Sequence, residues 1–174
     1  QVLVDDIRKH GGRPVMWKTG HSHIKRKMRE DKILLGGEVS GHMFFGENWY
    51  GVDDGILASC KFLEVVSRSP QPVSSHFDTL PHLFATPELK APCPDETKFE
   101  VVADLAREFK GRHETIDIDG VRILFPEGWG LVRASNTNPY LTLRFEAKTE
   151  PGLREMMETV YDALRRHPSV SLPA

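Results

Sequence analysis

Six of the chain's twelve prolines fall between positions 70 and 94: Pro70, Pro72, Pro81, Pro87, Pro92 and Pro94. Proline has no backbone N–H and fixes φ, so neither a helix nor an interior strand runs unbroken through such a stretch. The shift in composition marks a boundary near residues 70–84,. It divides the 174 residues into a first unit over 1–72 and a second over 73–174, each the size of a small domain,.

The first unit opens on Gln1 rather than Met. Residues 1–10 read as a helix already under way, ended by Gly11-Gly12,. A βαβ unit places a strand ahead of such a helix, so the expectation is a piece of a longer protein. Residues 14–19 are short and apolar, the pattern of a buried strand, and Gly20 breaks it,. A basic helix is predicted over 21–30, with Ile24 and Met28 on one face,. Short strands follow at 33–35, before Gly36-Gly37, and at 43–45. Asp53 reads as the N-cap of a helix carrying Ile56, Leu57, Cys60 and Leu63 at helical spacing and ending near 67–70,.

In the second unit Asp95 reads as the cap of a helix that turns Phe99, Val102, Leu105, Ala106 and Phe109 inward and stops at Gly111,. Runs at 116–118 and 121–125 flank Asp119-Gly120, the signal for a two-residue hairpin turn,. Residues 130–134 form another strand, and 140–147 alternate Leu141, Leu143 and Phe145 against Thr142, Arg144 and Glu146,. Pro151 opens the last helix, with Leu153, Met156, Met157, Val160, Tyr161 and Leu164 inward,. The pattern predicts an α/β unit followed by an α+β unit.

The net charge of −2 gives no basic field to draw the chain to nucleic acid or membrane,. No apolar run approaches the ~20 residues of a membrane-spanning helix, and no signal peptide opens the sequence. Cys60 and Cys93 belong to no CxxC pattern and fit free thiols in a reducing cytoplasm,.

Three segments carry candidate chemistry. Arg133-Ala134-Ser135-Asn136-Thr137-Asn138-Pro139 lies where a turn must join two strands. It combines a cationic fork, two hydroxyls, an amide and the converging N–H groups of a tight turn, which suits a phosphate dianion. A plain polar turn accounts for the same composition. In Gly36-Gly37-Glu38-Val39-Ser40-Gly41-His42, the glycines let backbone approach a ligand,. If the segment is extended, Glu38, Ser40 and His42 share one side, offering carboxylate, hydroxyl and imidazole to sugar hydroxyls. A glycine-rich hairpin with exposed polar residues is the other reading. Trp17-Lys18-Thr19-Gly20-His21-Ser22-His23 runs from strand to helix N-terminus, a place for anions, with Lys18 and His21 adding charge,. A metal site at His21 and His23 lacks a third ligand at known spacing. Lys25, Arg26, Lys27 and Arg29 form a solvated helix face.

Together the runs G-G-R-P-V-M-W-K-T-G-H-S at 11–22, G-E-V-S-G-H-M-F-F at 37–45, G-V-D-D-G-I at 51–56 and R-A-S-N-T-N-P at 133–139 resemble the α-D-phosphohexomutases, specifically the bacterial phosphomannomutase/phosphoglucomutase branch. The resemblance spans nearly the whole chain, with the motifs in family order. It implies most of a mixed α/β third domain, truncated at its start, followed by a fourth domain resembling the TATA-binding-protein fold.

By motif, the resemblance places Lys18, His21, Glu38, Val39, Ser40, Gly41 and His42 in substrate binding, with Glu38 and Ser40 on sugar hydroxyls. It gives His42 a catalytic proton-moving role. It places Arg133, Ala134, Ser135, Asn136 and Thr137 around the non-reacting phosphate. The implied reaction interconverts mannose or glucose 1-phosphate and 6-phosphate through a hexose 1,6-bisphosphate. The family's phosphoserine loop and Mg²⁺ loop are not found here: Ser75-His76-Phe77-Asp78 does not match, and no metal ligands are expected in this chain. The expected partners are sugar phosphates and the N-terminal domains of the same protein, and the chain alone is expected to lack phosphoryl transfer. A stand-alone, non-catalytic sugar-phosphate-binding module is the alternative. A nucleic-acid-binding role for the second unit is disfavoured by the acidic balance.

Overall fold

A computed structural model describes residues 1–173. The chain forms two compact units, Gln1–Pro81 and His82–Ala174.

The first unit carries three helices, α1 Val2–Lys9, α2 His21–Asp31 and α3 Gly55–Arg68, with the strands β1 Leu35–Gly37 and β2 Met43–Phe45 between α2 and α3. A 3₁₀ turn at Val73–His76 follows. β1 and β2 pair antiparallel, with Leu35 opposite Phe45 and Gly37 opposite Met43. Of the apolar side chains here, Met28 and Phe44 are the buried ones. Phe44 also makes an isolated antiparallel bridge to Asp53.

Three expectations fail in this unit. Residues 14–19 form no strand, and Val15, Met16 and Trp17 are exposed; the unit's sheet has only β1 and β2, so this run has no ladder to join. The apolar run 33–35 enters the sheet only at Leu35, because Ile33 closes α2 by donating its N–H to the Met28 carbonyl. The cap of α3 is Asp54, whose Oδ1 accepts from the Leu57 N–H at 2.9 Å. Asp53 is held in the extended bridge one residue earlier, and its carboxylate is used elsewhere.

The second unit is an antiparallel sheet backed by two helices. Its strands are β3 Phe84–Ala85, β4 Leu89–Pro92, β5 Glu114–Ile116, β6 Val121–Phe125, β7 Gly128–Ala134 and β8 Tyr140–Ala147. The helices are α4 Lys98–Lys110 and α5 Glu150–Arg165. The order is β3-β8-β7-β6-β5, and β4 also pairs with β8, so two short strands share one edge of β8. The alternation in β8 and β7 sends Leu141, Leu143, Phe145, Val132 and Ala134 into the core, against Leu105 and Phe109 of α4 and Val160 and Leu164 of α5,. Each fully buried aliphatic or aromatic side chain contributes about 1.5–3 kcal/mol. This core therefore outweighs that of the first unit by far. Thr149 caps α5 by accepting from the Gly152 N–H at 3.1 Å, just before Pro151 in the first turn,.

Strands β3 and β4 lie inside the proline-rich stretch. β3 holds no proline, and the one in β4, Pro92, is tolerated because it ends an edge strand,. The connection from β5 to β6 spans 117–120, with Ile116 opposite Arg122, rather than the two-residue turn expected at Asp119-Gly120. Gly120, at φ +85°, lies so close to β7 that a Cβ would fall 2.4 Å from the Val132 carbonyl oxygen. The Asp-Gly pair here carries Asp119 against β7. Asp95 does not cap α4, because its carboxylate is taken by Lys98; the residue at the cap is Thr97, whose side chain makes no capping bond. Phe99 is exposed, and Val101 takes its expected place in the core.

Candidate functional site

The first group of candidates surrounds the β1–β2 hairpin tip. Residues 38–42 do not stay extended. The Glu38 N–H donates to the His42 carbonyl at 3.0 Å, the Gly41 N–H donates to the Glu38 carbonyl at 2.9 Å, and Gly41 adopts φ +93°. Glu38, Ser40 and His42 therefore do not line the face of one extended strand. Val39 and Ser40 project into solvent at its tip.

The turn nevertheless ties two of the predicted segments together. Glu38 Oε1 accepts from the Gly20 N–H at 2.7 Å, joining the hairpin to the residue before α2. A carboxylate at a helix start complements the orphan N–H groups and positive dipole end there. His21, the first residue of α2, stands beside this contact in sequence and is exposed, as is Lys18. His42 Nδ1 lies 2.6 Å from Asp53 Oδ2. The bridge between Phe44 and Asp53, with the Asp54 N–H donating to the Met43 carbonyl at 3.2 Å, sets Asp53 alongside β2 and within reach of His42. An ionised carboxylate only accepts, so Nδ1 carries the hydrogen and Nε2 of a neutral ring is left to accept a proton.

The second group is the β7–β8 loop. Ser135 is buried, and its Oγ accepts from the Thr137 N–H at 3.3 Å and the Asn138 N–H at 3.1 Å. The Ser135 N–H donates to the Tyr140 carbonyl at 3.1 Å, closing the loop. The Ser135 hydroxyl thus builds the turn as an acceptor and keeps its O–H to donate. Asn136 and Thr137 are exposed at the tip, and the Asn138 side-chain amide donates to Thr137 Oγ1 at 2.8 Å. Arg133 leaves β7 just before the loop and meets Asp119 through a single long contact, Nη1 to Oδ2 at 3.4 Å. The two side chains are 23% and 27% exposed, so the guanidinium is held in place but reachable. Ala134 is buried against the core, so only its backbone is available to the loop.

Sequence reasoning missed three residues. By local pattern Asp53 reads as a cap and Asp119 as a turn residue. Lys98 was passed over, yet it is buried, with Nζ donating to Asp95 Oδ1 at 2.6 Å and to the Asn138 carbonyl at 3.0 Å. Asp95 and Lys98 stand three apart at a helix start, which is the one sequence signal that points to their pairing. Among the described residues no group of three or more His, Cys, Asp or Glu side chains could hold a metal ion. None of their helices is long and apolar enough to cross a membrane.

Two family models match the chain. One, described as "Phosphoglucomutase/phosphomannomutase, alpha/beta/alpha domain III", matches residues 1–84. The other, described as "Phosphoglucomutase/phosphomannomutase, C-terminal domain", matches residues 88–163. The chain belongs to the phosphoglucomutase/phosphomannomutase family.

A phosphomannomutase/phosphoglucomutase from Pseudomonas syringae pv. tomato is 46% identical over 169 residues, covering 96% of this chain and 36% of the relative. A phosphoglucomutase from Neisseria gonorrhoeae is 43% identical over 176 residues, covering 99% of this chain and 38% of the relative. A crystal structure of a phosphoglucomutase/phosphomannomutase family protein from Burkholderia thailandensis matches with a TM-score of 0.86 at 40% identity, over 99% of this chain and 37% of that one. The chain thus spans little more than a third of the length of these relatives.

Proposed function

We propose that this chain supplies the sugar-binding and phosphate-binding loops of a phosphohexomutase that interconverts mannose or glucose 1-phosphate and 6-phosphate through a hexose 1,6-bisphosphate. The observation that carries this reading is the β7–β8 loop, where a buried Ser135 folds the backbone so that Asn136 and Thr137 stand at the tip, next in sequence to a half-buried arginine. Such a turn offers a phosphate dianion the Ser135 and Thr137 hydroxyls, the N–H groups of Asn136 and one cation. Arg133, Ser135, Asn136 and Thr137, with the backbone of Ala134, grip the phosphate that does not react. That grip is remote from the chemistry, so its binding energy serves to position the other end of the sugar.

In the first unit, Glu38 and Ser40, with the backbone of Val39 and Gly41, receive sugar hydroxyls, while Lys18 and His21 flank them at the start of α2. His42 takes a proton at Nε2, with Asp53 fixing its tautomer at Nδ1. Glucose and mannose differ at C2, so contacts confined to C3 and C4 hydroxyls explain acceptance of both.

Among the described residues no cluster of His, Cys, Asp and Glu fits a Mg²⁺ site. The ion and the phosphoserine would be held by N-terminal domains of the same protein, where Mg²⁺ would supply charge neutralisation. The whole protein works in the cytoplasm on small sugar phosphates, with no nucleic-acid or membrane partner.

The test is a coupled assay with mannose 1-phosphate. The chain alone should show no turnover. Joined to the N-terminal part that precedes it in the family, the start of the third domain included, it should convert the substrate, and Arg133→Ala should lower kcat/KM at least tenfold. Turnover by the 174 residues alone would overturn this division of labour.

A further inference from the structure

We propose that Lys98 is a positioning residue for the phosphate loop, acting through the Asn138 carbonyl with Asp95 as its aiming partner. The inference rests on the reading of residues 133–137 as the phosphate grip and assigns the part of the fold that presets it.

Lys98 opens α4 and is 3% exposed. Its ammonium bridges two points far apart in sequence: Asp95 Oδ1 at 2.6 Å and the Asn138 carbonyl oxygen at 3.0 Å, forty residues away. It also stands 5.2 Å from the centre of the Phe99 ring. Taking an ammonium out of water is costly, and an apolar side chain of similar size packs a helix at least as well. What Lys98 adds is therefore direction: it fixes the atoms it bonds.

Those atoms belong to the loop's returning leg. The Asn138 carbonyl also accepts from the Tyr140 N–H at 2.9 Å, and the next carbonyl, of Pro139, accepts from the Cys93 N–H at 3.0 Å. The outgoing leg is shaped by Ser135 Oγ, which takes the Thr137 and Asn138 N–H groups. Asn138 thus has its N–H held by Ser135 and its carbonyl held by Lys98 and Tyr140. Both backbone polar groups of this one residue are therefore held. A carbonyl oxygen swung toward an anion would repel it. Lys98 keeps the Asn138 oxygen on the α4 side, where it meets an ammonium, and leaves the Ser135 and Thr137 hydroxyls and the N–H groups of Asn136 to the ligand.

The test uses NMR on the chain and on Lys98→Met, Lys98→Arg and Asp95→Asn. Amide exchange without ligand reads the tether itself. Lys98→Met should speed exchange at Ser135, Asn138 and Tyr140 by about tenfold or more, as loss of a hydrogen bond to a charged group implies. Val160 and Leu164 in the α5 core should keep their protection. Lys98→Arg should restore part of the protection, and Asp95→Asn, which keeps the lysine, should give a smaller acceleration. Titration with glucose 1-phosphate then reads the consequence, with Kd raised about tenfold in Lys98→Met and less in Asp95→Asn. Wild-type exchange and affinity in both Lys98→Met and Asp95→Asn would overturn the proposal. Should Lys98→Met lose the fold, the Asp95→Asn comparison decides alone. Absence of binding by the unaltered chain would sink the phosphate assignment of the loop, while the exchange data still decide whether Lys98 sets its geometry.

Discussion

Ser135→Ala separates the two roles assigned to one hydroxyl. The substitution removes the acceptor of two N–H groups at 3.3 and 3.1 Å. A typical net hydrogen bond is worth about 0.5–1.5 kcal/mol. The 3.3 Å contact is the weaker, and its donor, Thr137, is exposed enough for water to replace the lost partner. The loss of stability should therefore be about 1 kcal/mol, or roughly 4–8 °C in Tm for a unit of this size. The effect on phosphate binding should be larger. The O–H contact to a charged ligand is worth about 1.5–3 kcal/mol, so Kd should rise roughly ten- to hundredfold. Differential scanning calorimetry and isothermal titration with glucose 1-phosphate read the two quantities on one sample. A Tm unchanged within a degree would refute the turn-building role. A fallen Tm with unchanged Kd would refute the direct phosphate contact.

Further outcomes follow from other parts of the fold. Gly120→Ala should cost more than Ser135→Ala, because its Cβ would meet the Val132 oxygen at 2.4 Å and Arg133 Cα at 2.8 Å at a φ of +85°. Chemical denaturation should show a loss above about 2 kcal/mol, and a loss below 0.5 kcal/mol would mean the β5–β6 connection relaxes freely. Asp53→Ala should move the His42 ring from the Nδ1–H tautomer toward a mixture, read from ring ¹⁵N shifts, and unchanged shifts would contradict the 2.6 Å contact. Burial, reinforced by Glu158 and opposed by Arg165, raises the Tyr161 hydroxyl above its ordinary value of 10.0. A raised folded-state value gives stability that is complete below the ordinary value and lost as pH rises through the folded one. Tyr161→Phe should therefore flatten the fall in Tm above about pH 10, and an unaltered slope would count against this assignment. Limited trypsin digestion should cut first within 1–81, where Met28 and Phe44 are the buried apolar residues,. First cuts within 98–165 would reverse that ranking.

The legible parts of the fold were those where periodicity and burial coincide. β8 alternates because one face meets α4 and α5, so its bounds, Tyr140–Ala147, follow directly from the pattern. α5 announces itself through Pro151 and an inward stripe from Leu153 to Leu164. The strands β3 and β4 were hidden because a proline-rich composition argues for loop, while an edge strand tolerates proline,. At 38–42 the polar alternation suggested one extended face, but Gly41 at φ +93° folds the backbone back. The residues that orient others were the least visible. Asp53, Asp119 and Lys98 each have an ordinary local reading as a cap, a turn or a helix face. Their partners lie 11, 14 and 40 residues away, beyond the reach of local pattern.

The central claim is that residues 133–137 form a phosphate site within this chain. A backbone-resolved NMR titration with glucose 1-phosphate, run on the chain and on Arg133→Ala, tests it most directly. Shifts should centre on Arg133, Ala134, Ser135, Asn136 and Thr137 and vanish in the variant. Shifts that persist unchanged in Arg133→Ala, or none at millimolar ligand, would contradict it.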